Sequence, residues 1–310
     1  MTTSHIPAVE AIDLVKTYGQ GENAVHALRG VNVGFEQGRF TAIMGPSGSG
    51  KSTLMHTLAG LDGATGGTIM FGDLDLTAMN DNQLTVLRRR RIGFVFQSFN
   101  LLPMFSAEQN ILMPLTLAGV RVDRAWFDLL VDTLGLRRRL NHRPNELSGG
   151  QQQRVAIARA LIAKPAVVFA DEPTGNLDSV SSAEVLGFLK RSVEELGQTI
   201  IMVTHDAVAA SYAHRAIVFA DGRIVADVTD PTAERMSALL MQEREGHAAP
   251  SVERLMGVAE HVGGHVAEHV EDIAGEHADE TSARRSARPG RSARPGRSAR
   301  PGRSAGRHRH

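Results

Sequence analysis

A chain of 310 residues with 42% apolar content is long enough for one large domain or two ordinary ones, and can bury a proper core. It contains no cysteine, which excludes disulfides, thiol nucleophiles and cysteine metal sites and agrees with a reducing compartment. The formal charge of zero hides an asymmetry: residues 281–310 carry ten Arg and no acid, which leaves 24 Lys and Arg against 34 Asp and Glu in residues 1–280.

Met1–Glu10 lacks the basic start and apolar run of a secretion signal. No apolar stretch approaches the roughly 20 residues needed to span a bilayer, so any membrane-spanning part is expected in another chain. Ala8–Val15 and Ala27–Phe35 are predicted strands, the second with alternating apolar residues. Phe40–Met44 is a short buried strand that runs straight into a glycine loop, and Ser52–Ala59 is a helix. Thr68–Asp75 is a strand with a turn at Gly72-Asp73, and Ile92–Phe96 is a further strand. From Ala107 to Leu140 the pattern is helical, broken by Pro114 and Gly135. Gln151–Ala163 is a second clear helix, Ala166–Ala170 an apolar strand, Ser181–Leu196 a helix and Thr199–Thr204 a strand. Ala216–Val228 forms a hairpin around Asp221-Gly222. A last helix opens with Asp230 as N-cap and Pro231 at its first position. Strands alternating with helices predict a parallel α/β core. A helical stretch from about 98 to 160 is inserted in it.

The glycine loop reads Gly45-Pro46-Ser47-Gly48-Ser49-Gly50-Lys51-Ser52-Thr53 and matches G-x-x-x-x-G-K-[ST]. Glycines let the backbone wrap phosphate with its N–H groups inward, and the following helix adds its positive N-terminus. Lys51 is placed to reach β- and γ-phosphates, and the Ser52 hydroxyl to ligand Mg²⁺. A chance glycine turn would lack the strand before it and the helix after it. Downstream, Ala166–Ala170 delivers Asp171 and Glu172 to the carboxyl edge of the sheet, where α/β ligands bind. Taken alone, an ordinary strand end with solvated acids explains that pair equally well. Ser148, Gly149 and Gly150 precede the Gln151 helix, where backbone N–H groups and a serine hydroxyl form an anion site. A plain serine N-cap fits the same residues, and both can hold at once.

Leu147-Ser148-Gly149-Gly150-Gln151, with the glycine loop upstream and Asp171-Glu172 downstream, resembles the ATP-binding subunit of an ABC (ATP-binding cassette) transporter. The resemblance covers about residues 7–240. It implies an α/β P-loop NTPase with a RecA-like parallel core, a small antiparallel β subdomain and the inserted helical subdomain. It implies ATP and Mg²⁺ as ligands, with Asp171 holding the metal and Glu172 polarising the attacking water. Ser148, Gly149, Gly150 and Gln151 would then meet the γ-phosphate of ATP on a partner subunit, so a homodimer is expected. Gln97 resembles the Q-loop glutamine that contacts metal or water. His205 resembles the switch histidine, Asp178 the D-loop that crosses to the partner, and Tyr18 the aromatic residue that stacks on adenine. For Gln97 the bland alternative is a surface glutamine, and for Tyr18 a core or surface tyrosine.

Within the family, Ile92–Pro103, Asn23–Leu28 and Gln109–Leu115 resemble the branch serving macrolide exporters and lipoprotein-release complexes. That implies an FtsX-like permease as partner, a position at the cytoplasmic face of the membrane, and export or extraction of a hydrophobic or lipid-linked substrate. A relative of the same branch that regulates cell-wall hydrolases without moving solute is the alternative. Soluble ABC ATPases acting on ribosomes or DNA carry two cassettes in one chain or a long coiled coil, and this sequence has neither. Gln97–Phe105 is a candidate docking floor for the permease; its Phe99, Leu101, Leu102 and Phe105 serve equally well as core of the helical subdomain.

Arg88–Arg91 and Arg137–Arg139 are read as solvated helix C-terminal ends. Residues 241–280 are expected to be a weakly helical extension: Val252–Ile273 has helix-spaced apolar residues, weakened by Gly257, Gly263 and Gly264. His261, His265 and His269 share a face there, a spacing that could hold a metal, but the weak helix and lack of carboxylate support favour a solvated face. The unit Ser-Ala-Arg-Pro-Gly-Arg repeats from 286, 292 and 298, so 281–310 is expected to be disordered. This Arg tail could meet anionic lipid, the acidic body or nucleic acid non-specifically, or stay solvated; no specific nucleic-acid partner is expected.

Overall fold

The computed structural model describes residues 6–243. The expectations for Val252–Ile273, the three histidines and the Arg repeat lie outside the described residues. Ten strands are described, in two sheets. The first is antiparallel and holds β1 (Val9–Tyr18), β2 (Val25–Phe35), β4 (Gly66–Phe71) and β5 (Leu74–Asp75) in the order β2-β1-β4-β5. The second holds β3 (Phe40–Met44), β6 (Ile92–Phe96), β7 (Val167–Asp171), β8 (Thr199–Val203), β9 (Arg215–Ala220) and β10 (Arg223–Thr229), in the order β10-β9-β3-β8-β7-β6. Neighbouring strands from β9 to β6 run parallel, and β10 returns antiparallel through Asp221-Gly222, both at positive φ as a tight hairpin requires.

Strand alternation divides the core. Phe40, Ala42 and Met44 of β3, Val168 and Ala170 of β7, and Ile200 and Met202 of β8 face one cluster. Ile43, Val167, Phe169, Ile201 and Val203 face the other, with the antiparallel sheet. Helix α1 (Lys51–Leu58) buries Leu54, Met55 and Leu58 in that second cluster. The first cluster is covered by α3 (Ala107–Ala118), α4 (Arg124–Thr133), α5 (Gly149–Leu161) and α6 (Ser179–Leu196). Helix α2 (Asp81–Arg91) leads directly into β6, and Arg88–Arg91 form its last turn as expected, but Arg88 is not simply solvated: it donates to the Gly60 carbonyl and to Thr85 Oγ1. Helix α7 (Ala207–Ala210) follows β8, and α8 spans 233–243. Among the described residues no helix is long and apolar enough to cross a membrane.

Three local expectations are corrected. Pro114 does not break its helix; α3 runs through it to a left-handed Gly119. Proline removes one bond, to the Asn110 carbonyl, while buried Ala107, Ile111 and Leu115 hold both sides of it. Helix α8 is capped by Thr232, whose Oγ1 accepts from Arg235 N at 3.3 Å, so Asp230-Pro231 precede the helix instead of starting it. Arg137 is not simply solvated: it donates to both Asp128 and Asp132 and ties the end of α4 to the turn that follows.

Candidate active site

The loop between β3 and α1 is forced by geometry. A Cβ on Gly45 would stand 1.9 Å from the Phe219 carbonyl oxygen, and one on Gly50 2.4 Å from that of Ala27. Gly48 has open space but φ of 80°, so backbone conformation alone demands glycine there. The loop borders a cavity of about 560 Å³, a size suited to a cofactor, lined by Gly48–Thr53 together with Tyr18, Val25, Ala27, Arg29 and Gly222. Pro46 and Ser47 lie at the bend of the same loop. Ser49 is buried, and its hydroxyl has no hydrogen-bond partner among the described residues. An orphaned buried donor beside inward-turned backbone matches an anion.

Tyr18 is 42% exposed at the rim of this cavity, which answers the core alternative. Its hydroxyl donates to Asp62 Oδ2 at 2.5 Å, while Lys16 Nζ donates to Asp62 Oδ1 at 2.5 Å and sits 4.7 Å from the Tyr18 ring centroid. The ring is thereby fixed before anything stacks on it. Asp62 is not visible as a site residue in the sequence, because it acts only through Tyr18.

Across the loop, Lys51 is buried and donates to the Pro46 carbonyl at 2.7 Å. Burial pushes its ammonium below the ordinary lysine range, against the pull of Glu172 and Asp171. Ser52 Oγ donates to Asp171 Oδ1 at 3.4 Å. Burial pushes the Asp171 carboxyl up, and His56, Ser52 and Lys51 pull it back only in part. His56 Nε2 lies 3.8 Å from Asp171 Oδ2. The sequence reading passed over His56, although its position four residues after Ser52 on α1 puts both on one helical face.

Glu172 has φ of 47°, the left-handed region that costs a non-glycine residue about 1–2 kcal/mol. Three contacts impose it. Its N–H donates to the Val203 carbonyl at 2.9 Å, and its carbonyl accepts from Gly175 N at 3.0 Å. His205 Nδ1 lies 2.8 Å from its Oε1. An ionised carboxylate only accepts, so the proton sits on Nδ1. Backbone strain held by its surroundings, at an acid beside a phosphate loop, is where such strain concentrates. Gln97 follows β6 and faces the same turn: a Cβ on Gly175 would stand 2.7 Å from its Nε2, and Asn176 Nδ2 donates to its carbonyl at 2.9 Å.

Ser148–Gln151 stands apart. Ser148 Oγ accepts from Gln151 N at 3.3 Å and Gln151 Oε1 accepts from Ser148 N at 3.1 Å, a capping box that opens α5. Gly150 is pressed on Ser181, where a Cβ would meet Oγ at 2.8 Å, and Gly149 neighbours Leu177. Asp178 caps α6, with Oδ1 accepting from Val180 N at 3.0 Å and Ser181 N at 2.9 Å. None of Ser148–Gln151 lines the cavity of the glycine loop. The contacts link Ser52 to Asp171, Glu172 to His205, and Gln97 to the turn after Glu172, while Ser148 and Gln151 bond each other at the start of α5, beside that turn at Asn176 and Leu177.

Residues 28–175 match the family described as ABC transporter. The chain is 47% identical over 221 residues to the lipoprotein-releasing system ATP-binding protein LolD of Geobacter metallireducens, covering 71% of this chain and 98% of that protein. This chain belongs to the ABC transporter ATP-binding family. It is thus an ATP-hydrolysing transporter subunit. It is also 50% identical to the macrolide export ATP-binding/permease protein MacB of Syntrophobacter fumaroxidans, over 70% of this chain but only 31% of that longer protein. Among solved structures, a dimeric post-hydrolysis state of the ATP-binding cassette MJ0796 bound to ADP and Pi matches with TM-score 0.66 and 40% identity, over 72% of this chain and 98% of that one. The P-loop NTPase fold and the LolD- and MacB-like character expected from the sequence stand.

Proposed function

We propose that this subunit dimerises on ATP and drives a separate FtsX-like permease, at the cytoplasmic face of the membrane, for export or extraction of a hydrophobic or lipid-linked substrate. The observation that supports the dimer is the dimeric state of the 40% identical MJ0796 cassette. Ser148–Gln151, a helix start closed by its own capping box, is not among the residues lining the glycine-loop cavity of its own chain. In this reading Tyr18 stacks on the adenine. Backbone donors of Gly45–Thr53 and the Lys51 ammonium hold the phosphates. Ser148, Gly149, Gly150 and Gln151 of one subunit close on the γ-phosphate bound by the other, with Asp178 at the junction.

The residues fit Mg²⁺. Ser52 Oγ and the Asp171 carboxylate are hard oxygens, and Mg²⁺ takes few protein ligands, completing its shell with water and phosphate oxygens. When bound, the ion supplies neutralisation of charge on the transferred phosphoryl group. Glu172 orients the attacking water and accepts its proton. His205 holds the Glu172 carboxylate through its Nδ1 proton and stands ready to meet the γ-phosphate. Gln97, at the turn that follows Glu172, contacts the metal or the same water.

A groove of about 430 Å³ lined by Leu61, Arg88, Asn100, Met113, Pro114 and Leu117 offers the permease a seat. Leu117 is 66% exposed, which a permease helix would cover. Phe99, Leu101, Leu102 and Phe105 are all half-buried, a state compatible with both roles expected for them. The Arg tail is proposed to add contact with anionic lipid. Copurification from membranes tests the reading: a multi-span permease should accompany the full chain. Recovery of the chain alone, or with ribosomes, would reject it. Unchanged membrane recovery in low salt after truncation at residue 245 would remove only the lipid contact.

A further inference from the structure

Arg159 lies near the far end of α5, the helix that Ser148 caps, and is 8% exposed. Its Nη1 donates to the Asn100 carbonyl at 2.5 Å and its Nη2 to the Phe99 carbonyl at 2.7 Å. No carboxylate pairs with it among the described residues, and burial pushes the guanidinium below its ordinary range with no charge to oppose that. A buried cation held only by two carbonyls is costly, and its planar fork matches two successive acceptors as a lysine cannot. Those acceptors belong to residues that need holding: Phe99 and Asn100 are consecutive and both left-handed, at φ of 57° and 49°. Such a pair persists only where its surroundings impose it. The same loop meets α5 at its other end, where a Cβ on Gly149 would stand 3.8 Å from Phe99 Cζ. Asn100 and Arg159 also line the groove proposed for the permease.

We propose that Arg159 is a positioning residue that joins the 97–100 loop and α5 into one mechanical unit, so that displacement of the groove wall at Asn100 moves Ser148–Gln151. The proposal rests on the permease reading of that groove. It assigns Arg159 no contact with nucleotide, since the residue lies outside the cavity of the glycine loop.

The test uses the full chain, alone and in the complex copurified from membranes, as wild type, Arg159→Lys and Arg159→Met. Affinity of the isolated chain for a fluorescent ATP analogue should stay within about twofold. Stimulation of ATP hydrolysis by the permease should fall about tenfold for Met and about threefold for Lys, in the range of mutations that modulate coupling without touching either ligand. Undiminished stimulation in both variants overturns the proposal. So does a loss of nucleotide affinity that parallels the loss of stimulation, which a merely structural role would give. If the Met variant fails to fold, Lys decides, since it keeps the stem and the charge. If the wild-type complex shows no stimulation, the permease reading has failed, and hydrogen exchange in the isolated chain then decides on Arg159. Arg159→Lys should speed exchange at 98–105 and at 148–154 together. Faster exchange confined to 98–105, or no change, overturns the mechanical unit.

Discussion

At the Gly45–Thr53 end, side chains answer to other elements: Ser52 of α1 to Asp171 of β7, and Glu172 to His205 beyond β8. At the Ser148–Gln151 end the same kinds of group answer to each other within one helical turn, through a reciprocal capping box. The first end carries an orphaned hydroxyl, a buried lysine and a carboxyl that burial pushes up, all waiting on an ionic ligand. The second closes its capping box on itself, while buried Gln153 just beyond it keeps an amide with no hydrogen-bond partner among the described residues. The difference teaches a division of labour: one end supplies binding and chemistry, and the other supplies a preformed surface that need not reorganise when it closes on a phosphate.

The largest effect should come from the end that does chemistry. Glu172→Gln keeps shape and removes the base, so turnover should fall about 10²–10⁴-fold while ATP still binds and the dimer accumulates by gel filtration. Near wild-type turnover would dismiss Glu172 as base and leave its strained backbone unexplained. A more direct blow at the division of labour uses mixed dimers of Ser148→Arg and Lys51→Ala subunits. If the ends meet across subunits, one composite site is intact, and about half the activity should survive, less any loss of cooperation between sites. Complete loss would mean that each chain serves its own ATP.

Asp171→Asn sharpens the comparison further, because it separates function from stability. Hydrolysis should fall at least ten- to hundredfold through lost metal affinity. Yet Asp171 has its folded-state pKa raised by burial, so its charge works against the fold. The sign follows: stability declines as pH rises from the unfolded value of about 4 through the raised folded value, and stays lower above it. Without nucleotide, Asp171→Asn should therefore melt higher than wild type near pH 7, and the gap should close as pH falls toward about 4. A variant melting lower at neutral pH would show that Lys51 and His56 need the charge more than burial resists it.

The sequence made these ends legible to unequal degrees. Strand positions were readable because apolar residues in β3, β7 and β8 run nearly unbroken, interrupted inside β3 by Thr41, as in strands buried on both faces. The glycine loop was readable because three of its glycines are sterically or conformationally compelled. What stayed hidden acts through space. Asn110, fully buried, bonds Leu102, Phe105 and Ser106 and staples the segment before its own helix. Asp62 reaches Tyr18 from 44 residues away and Arg159 reaches Asn100 from 59. No local periodicity encodes such pairings. Pro114 misled for the converse reason: a strong local breaker signal was overridden by packing on both sides of it.

The smallest predicted effect addresses the two jobs of Ser148. As a cap, its Oγ accepts from the Gln151 N–H; as a phosphate ligand in the partner's site, the same oxygen would have to donate. Ser148→Ala removes both jobs and should cost about 1 kcal/mol, a fall in Tm of about 2–4 °C. Ser148→Asp caps as well as serine does, so its Tm should stay close to wild type. Its carboxylate, however, would face the γ-phosphate with like charge and no proton to give. Hydrolysis should then fail in a chain that is fully folded. If Ser148→Asp instead hydrolyses ATP at the wild-type rate, the hydroxyl serves only the helix, and the phosphate is met by the Gly149–Gln151 backbone alone. That outcome would narrow the closing surface to main-chain donors whose geometry α5 fixes in advance.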